Sequence, residues 1–185
     1  MDERLKTALH YVIHSAQVHN LNLDTVKLLK TIVFADVFSF TSRSRTVVNT
    51  RIIKATYGPA PDGWQAALES LEKEGRIKTF PRTQQYEITK YESLLSPDLA
   101  GFDVDDLHVL DTVTRAFCEN FTATYLSRIS HNHFWNITPM GEELPLGGYL
   151  PGDQVKHTPD ELRRISVDMK TAGLFDPGLD LQVNG

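Results

Sequence analysis

The chain is organised around one apolar stretch, residues 24–38. Its apolar side chains recur at the spacing of a helical face, in the series Val26, Leu29, Val33 and Val37, and others widen that face. A helix that is apolar over most of its circumference is packed on more than one side. The pattern therefore predicts a buried central helix, and only four of its positions look suited to face water: Lys27, Lys30, Thr31 and Asp36.

Helical spacing of apolar residues predicts further helices on both sides of the central one. They cover residues 3–18, 47–57, 62–74, a segment that begins at Asp103, residues 125–131, and a last helix that starts at the capping box 158–161. Residues 39–46 and 91–102 look like a loop and a linker. Gly58 and Pro59 are typical of a helix end, so the helix over 47–57 is expected to stop at Tyr57.

Two short segments, residues 76–80 and 84–89, have the pattern of a β-hairpin. Two helices followed by a hairpin form the outline of a winged helix. We therefore expect an α+β fold that is mostly α-helical: a helical bundle around the buried central helix, with a winged-helix-like β-hairpin. Residues 1–155 are expected to form one domain, and residues 156–185 a C-terminal helix and tail that pack on it or extend it.

Composition narrows the class of protein. The chain has 185 residues, of which 41% are hydrophobic, enough for the core of one domain. Its single cysteine, Cys118, excludes an internal disulfide and a cysteine-cluster metal site. No stretch has the pattern of a signal peptide or a membrane span, so we expect a cytoplasmic protein without a membrane partner.

Charge is distributed unevenly along the chain. Residues 22–57 carry six bases and two acids, a net charge of +4, whereas residues 91–120 carry seven acids and one base, a net charge of −6. Such asymmetry fits two partner-binding faces, but it fits the solvated faces of amphipathic helices equally well. Both interpretations stay open.

The winged-helix outline raises the question of DNA binding. The helix predicted over residues 62–74 carries four acids against Lys73, and the predicted hairpin tip offers only Arg82 as a base. The phosphates of DNA would be repelled by a recognition helix with this balance. DNA binding is therefore an alternative that the sequence does not favour.

Residues that could carry chemistry are few. His131 and His133 are potential metal ligands, but their i, i+2 spacing without paired cysteines is a weak signal for a zinc site. The chain has no G-x-S-x-G elbow, no Walker loop and no G-x-G-x-x-G. We therefore expect neither an enzyme nor a bound metal or cofactor.

Three stretches carry a resemblance to a known family. The first runs from Lys27-Leu28-Leu29-Lys30 to Phe34-Ala35-Asp36. The second is Tyr57-Gly58-Pro59-Ala60-Pro61, followed by Leu71 and Gly75-Arg76-Ile77. The third is Leu126-Ser127-x-x-Ser130-His131 with Trp135 and Gly141. Together they resemble the Panacea domain, also called the SocA-like or GepA antitoxin domain, over about residues 5–150.

The resemblance implies an antitoxin that neutralises a cognate toxin by direct protein–protein binding. Some members of the family act instead as adaptors that pass the toxin to a protease or its unfoldase, and a DNA-binding autorepressor is the other alternative. The family has no known catalytic residues. The motif residues expected to be structural are Phe34, Asp36, Tyr57, Gly58, Pro59, Ser130, His131 and Trp135.

The acidic stretch suggests where a toxin would bind. A toxin that acts on nucleotides or RNA presents a basic cleft, which Asp103, Asp105 and Asp106 would complement beside Phe102 as an apolar anchor. The helix dipole by itself also accounts for aspartates at a helix start. The next candidate surface is basic and comprises Arg43, Arg45 and Arg51.

Overall fold

The predicted α+β fold class is confirmed. The computed structural model describes residues 2–81 and 89–149, in which helices predominate and two small antiparallel hairpins accompany them. The elements are α1 (Glu3–Val18), α2 (Thr25–Arg43), β1 (Ile52–Ala55), β2 (Gly58–Pro61), α3 (Trp64–Lys73), β3 (Ile77–Phe80), β4 (Lys90–Ser93), α4 (Val104–Asn120), α5 (Ala123–Ile129), α6 (His133–Ile137) and a short 3-10 helix (Leu146–Tyr149).

The predicted central helix is α2, and it is longer than expected. The carboxylate of Asp24 caps it by accepting a hydrogen bond from the backbone N–H of Lys27 at 2.9 Å. The sequence predicted a loop from residue 39, but residues 39–43 belong to α2. Thr41 and Ser42 belong to the helix, and their hydroxyls donate back to the carbonyls of Val37 and Phe38, one turn earlier, each at 2.8 Å.

Helix α2 is enclosed by the elements around it, chiefly α1, α4, α5 and β2. Leu28, Ile32 and Val33 lie in the core, as predicted. The four polar positions predicted to face water are buried as well, so that part of the prediction is wrong: Lys27, Lys30, Thr31 and Asp36. From Lys27 to Ser39 this helix has no exposed residue, and only Phe40, Thr41 and Ser42 of its last turn are exposed. Each polar side chain of the enclosed part therefore needs a partner inside the protein.

The helix predicted over residues 47–57 is wrong, because this segment leads into a β-hairpin. Strands β1 and β2 pair from Ile52↔Pro61 to Ala55↔Gly58 around a two-residue turn. Gly58 has a φ of +99°, so it serves this turn and not a helix end. Residues 141–144 join the other edge of β1, where the N–H of Leu144 donates to the carbonyl of Ile52 at 2.8 Å.

The second hairpin follows α3, as the winged-helix outline predicts. Strand β3 is confirmed, and it pairs antiparallel with β4. The predicted linker 91–102 is therefore wrong for residues 91–93, which belong to β4. Strand β4 begins at Lys90, after the end of the predicted second strand 84–89, and residues 84–88 of that prediction lie outside the described residues. The same holds for Arg82 at the hairpin tip, for the helix from residue 158 and for the boundary at residue 155.

The last three helices each begin at a side-chain cap. Asp103 caps α4 as predicted, accepting from the N–H of Asp106 at 2.8 Å. Thr122 caps α5, so this helix starts two residues earlier than predicted and ends at Ile129. Asn132 caps α6, which the sequence did not predict because five residues show no period.

The buried position of α2 predicts the effect of a charge on its core face. Leu29→Asp places an unpaired carboxylate at a position that is 8% exposed, which should cost several kcal/mol or unfold the protein. Urea denaturation followed by circular dichroism measures this cost. The matched control is Val18→Asp, because Val18 is 65% exposed at the end of α1 and should tolerate the same change. Equal stability of both variants would contradict the enclosed position of α2.

Candidate functional site

The aspartates predicted to form an acidic binding face lie at the start of α4, and they differ in exposure. Asp103 and Asp105 are exposed, whereas the side chain of Asp106 is only 2% exposed. The expectation that all three are surface groups is therefore wrong for Asp106. The backbone N–H of Asp106 and the guanidinium of Arg45 lower the pKa of Asp103.

Asp106 is the centre of an ion-pair network that joins three elements. Its carboxylate contacts the guanidinium groups of Arg4 in α1, at 2.8 Å, and of Arg43 at the end of α2, at 3.0 Å. Arg45 lies 3.2 Å from the same carboxylate and 2.6 Å from that of Asp103. The basic and acidic stretches of the sequence therefore meet here and neutralise each other.

The other residues proposed for partner contact also have partners within the protein. Phe102 is half-buried, and the guanidinium carbon of Arg4 lies 4.2 Å from the centre of its ring. Arg51 pairs with Asp62 at 2.6 Å on the surface. Contact of Phe102, Asp103, Asp105 or the three arginines with a toxin stays a prediction.

The family-motif residues converge on the turn of the first hairpin. Gly58 packs so closely that a Cβ atom in its place would lie 2.4 Å from Ser130 Oγ and 2.5 Å from Lys30 Nζ. Tyr57, next to it, is exposed. The corner between α5 and α6 therefore closes over the hairpin only because residue 58 is glycine.

Lys30 is the charged group at the centre of this corner. Its side chain is buried, and its ammonium donates a hydrogen bond to the carbonyl of Pro59 at 2.7 Å. No carboxylate of the described residues forms an ion pair with it. Burial lowers the pKa of Lys30 to about 7, so the amine loses much of its charge near neutral pH.

His131 and Trp135 cover the outer side of the corner. Their rings stack at 3.7 Å, and the indole N–H of Trp135 donates to the carbonyl of Ala55 at 3.3 Å. The ammonium of Lys54 lies 4.2 Å above the same indole. Burial, followed by the charges of Lys30 and Lys54, lowers the pKa of His131. A neutral imidazole suits a corner that already holds two amines.

Asp36 fixes the backbone that leads into the hairpin. Its buried carboxylate accepts hydrogen bonds from the N–H groups of Val48 at 2.6 Å and Asn49 at 2.9 Å. Burial raises the pKa of Asp36, and these backbone donors oppose that rise. Phe34, two residues earlier, contacts Phe38, Phe117 and Tyr149 edge to face or tilted, so both motif residues have internal contacts.

The geometry assigns structural contacts to Ser130 and Lys30, whereas Nε2 of His131 is buried without a hydrogen-bond partner among the described residues. Ser130 donates its hydroxyl to the carbonyl of Ser127 at 2.8 Å, and Lys30 is held by a carbonyl of β2. Within residues 2–81 and 89–149, no three His, Cys, Asp or Glu side chains lie close enough together to hold a metal ion. The sequence did not identify Lys30 and Lys54 as residues of this corner. A signal for Lys30 was present, because a lysine in a helix that is apolar over most of its circumference indicates a buried amine.

The network at Asp106 predicts that neighbouring aspartates differ in their contribution to stability. Asp106→Asn should lower the free energy of unfolding by about 2–4 kcal/mol, because it leaves three arginines without their shared charge. Asp105→Asn is the matched control, since Asp105 is 77% exposed and 3.9 Å from Arg43, and its loss should cost less than about 1 kcal/mol. Urea denaturation of both variants measures the difference, and equal costs would contradict the network.

The buried amine predicts a pH dependence of stability. The folded-state pKa of Lys30 is lowered from 10.5 to about 7, so between these values the unfolded chain binds more protons. Stability therefore rises with pH in this window. From pH 7 to 8.5, Lys30 should add about 1–2 kcal/mol to the free energy of unfolding, and Lys30→Met should remove that increase.

Urea denaturation at each pH measures this slope. Lys73→Met removes the same charge from an exposed position and is the control for net charge. The assignment to Lys30 is contradicted if the two variants flatten the slope equally, or if Lys30→Met retains the slope of the wild type.

Comparison with known proteins matches the sequence of this chain to a family. The family model described as "Antitoxin SocA-like, Panacea domain" matches residues 28–136, more than half of the chain. The match begins in α2 and ends in α6, so it includes Lys30, Asp36, the first hairpin and the corner around Ser130. No curated protein and no solved structure matches the chain. The chain therefore belongs to the SocA-like antitoxin family that is defined by the Panacea domain.

Proposed function

We propose that the protein is an antitoxin that neutralises a cognate toxin by direct protein–protein binding, without catalysis of its own. The family match over residues 28–136 is the observation that carries this proposal. It implies a toxin as the partner, and binding is the simplest way in which a domain of this kind can act on one.

The engagement of the motif residues supports a binding role. Lys30 and Asp36 use their polar atoms on backbone groups of β2 and of the segment before β1, and Ser130 bonds to a carbonyl of its own helix, α5. Groups held in this way stiffen the positions of the hairpin and of the α5–α6 corner. A stiff scaffold loses little conformational entropy when a partner binds, which favours affinity.

The two alternatives lead to different observations. An autorepressor would bind promoter DNA, but α3, the helix before the second hairpin, exposes Glu69 and Glu72. A proteolytic adaptor would lower the amount of toxin in the cell, whereas direct binding leaves that amount unchanged. We rank direct neutralisation first because it requires only the toxin that the family match implies, without a protease or promoter DNA.

We further propose that neutralisation takes place in the cytoplasm. Among the helices of the described residues, none has both the length and the apolar character that crossing a membrane requires. We also propose that neutralisation requires no cofactor.

The direct test is co-expression with the protein encoded next to this chain's gene. We expect growth to be restored while the toxin stays at its full amount, because a bound toxin is blocked and not destroyed. Purified toxin should lose its activity at a fixed molar ratio of antitoxin, and the two proteins should elute together in size-exclusion chromatography.

Three controls separate the alternatives. Rescue that fails in a protease-deficient host, with a fall in toxin in the normal host, would favour the adaptor. A salt-steep shift of promoter DNA by the antitoxin alone at physiological ionic strength would favour the repressor. Leu29→Asp, which should not fold, is the negative control for rescue.

A further inference from the structure

A groove between α3 and the second hairpin stands apart from the networks described above. It has a volume of about 200 Å³ and lies where Trp64 and Leu68 of α3 face Thr79 of β3 and Tyr91 of β4. Thr79 and Tyr91 are paired across the two strands, so they lie side by side on the hairpin. The floor of the groove is therefore formed by two regular elements.

Two carboxylates and the side chain of Gln65 also line this groove. Glu69 and Glu72 belong to the same helix and are exposed. The N–H of Thr79 donates to one oxygen of Glu72 at 3.0 Å, which holds that carboxylate at the groove. Neither glutamate forms an ion pair with any described residue, in contrast to Asp103 and Asp106.

The surroundings of the groove favour a positive charge. Burial raises the pKa of Tyr91, the hydrogen bond with Thr25 opposes that rise, and the charges of Asp24 and Glu72 add smaller contributions that raise it. Glu69 and Glu72 also lie in the second half of α3, towards the negative end of the helix dipole. The hydroxyl of Tyr91 is engaged with Thr25 at 2.7 Å and is not available to a ligand.

The size of the groove restricts its occupant. Pockets for small molecules and cofactors usually measure about 300–1,000 Å³, so a groove of about 200 Å³ is small for them. A single side chain presented by another protein is the better fit in size. An indole and a phenol ring combined with two unpaired carboxylates complement a side chain that is both flat and cationic.

We propose that this groove, formed by Trp64, Leu68, Glu69, Glu72 and Tyr91, is a toxin-binding site that takes an arginine side chain of the toxin. The proposal rests on the proposed function and names the contact surface for it. Arginine is favoured over lysine because its planar guanidinium stacks on an aromatic ring and forms two parallel hydrogen bonds to a carboxylate.

The first experiment uses N-acetyl-arginine amide as the probe. The chain has two tryptophans, so its NMR spectrum contains two indole N–H signals. We expect the signal of Trp64 to shift and saturate, and that of Trp135, which lies at the first hairpin, to stay in place. N-acetyl-citrulline amide, which has nearly the same shape without the charge, should cause no shift.

Matched variants test the carboxylates. Glu69→Gln/Glu72→Gln should weaken the binding of the arginine amide by about tenfold. Glu92→Gln/Glu119→Gln removes the same charge from exposed positions outside the groove lining and should bind as the wild type does. Thermal unfolding confirms that both variants are folded. An unsaturated shift, an equal response to citrulline amide or lysine amide, or equal affinity in both variants would overturn the proposal.

The second experiment uses the protein encoded by the adjacent gene. If wild type and the Glu92/Glu119 variant neutralise it and the Glu69/Glu72 variant binds it about tenfold more weakly, the groove is the contact surface. If all three neutralise it equally, the groove proposal is overturned and the proposed function stands. If the wild type itself does not bind it, the proposed function and the toxin-binding role of the groove both fail, whatever the arginine amide shows.

Discussion

The structure depends on the enclosure of α2, which forces polar side chains of a buried helix to bond with the elements around it. The ammonium of Lys27 donates to the carbonyl of Cys118 at 3.3 Å, and that of Lys30 to the carbonyl of Pro59 at 2.7 Å. Asp36 accepts from the N–H of Val48 at 2.6 Å. An unpaired polar group in these positions would cost several kcal/mol, so the helix and its surroundings determine each other's positions. Thr31 is the exception, since its hydroxyl has no partner among the described residues.

This enclosure gives the motif of the family a physical meaning. Asp36 holds the backbone before the first hairpin, and Lys30 holds the second strand of that hairpin. Gly58 lets the α5–α6 corner approach, and Trp135 bonds to the carbonyl that ends β1. Residues far apart in the sequence thus fasten one hairpin against one helix. Because burial lowers the pKa of Lys30 to about 7, the stability contributed by this corner depends on pH near neutrality.

Electrostatics divides the surface into engaged and available charges. The arginines at the end of α2 and the aspartates at the start of α4 pair with each other in one network around Asp106. The glutamates of α3 that line the groove are not paired in this way. Unpaired charges around a small aromatic groove can orient a partner and speed its association, while an anchored side chain supplies affinity. This distinction moves the search for a partner surface from α4 to α3.

Much of the secondary structure follows from the sequence by itself. Helices α1, α2, α3 and α4 were predicted because their apolar side chains recur over ten residues or more, and Asp103 marked the start of α4. The first hairpin was mistaken for a helix because its strands are four residues long, too short for periodicity to tell the two structures apart. Its formation depends on pairing with residues 141–144 and on Asp36, contacts that no local pattern contains.

The candidate site was predicted in part. The resemblance singled out Gly58, Pro59, Ser130 and Trp135, and the structure brings them together. The sequence pattern, however, had assigned Gly58 and Pro59 to a helix end. The sequence also showed two runs of opposite charge, yet it could not show that Arg43 and Asp106 pair with each other. The sequence thus determined which segments are helical, which residues are charged and which family the chain resembles. Only the tertiary structure decided which charges are buried and which remain for a partner, because burial and pairing depend on distances between segments that are remote along the chain.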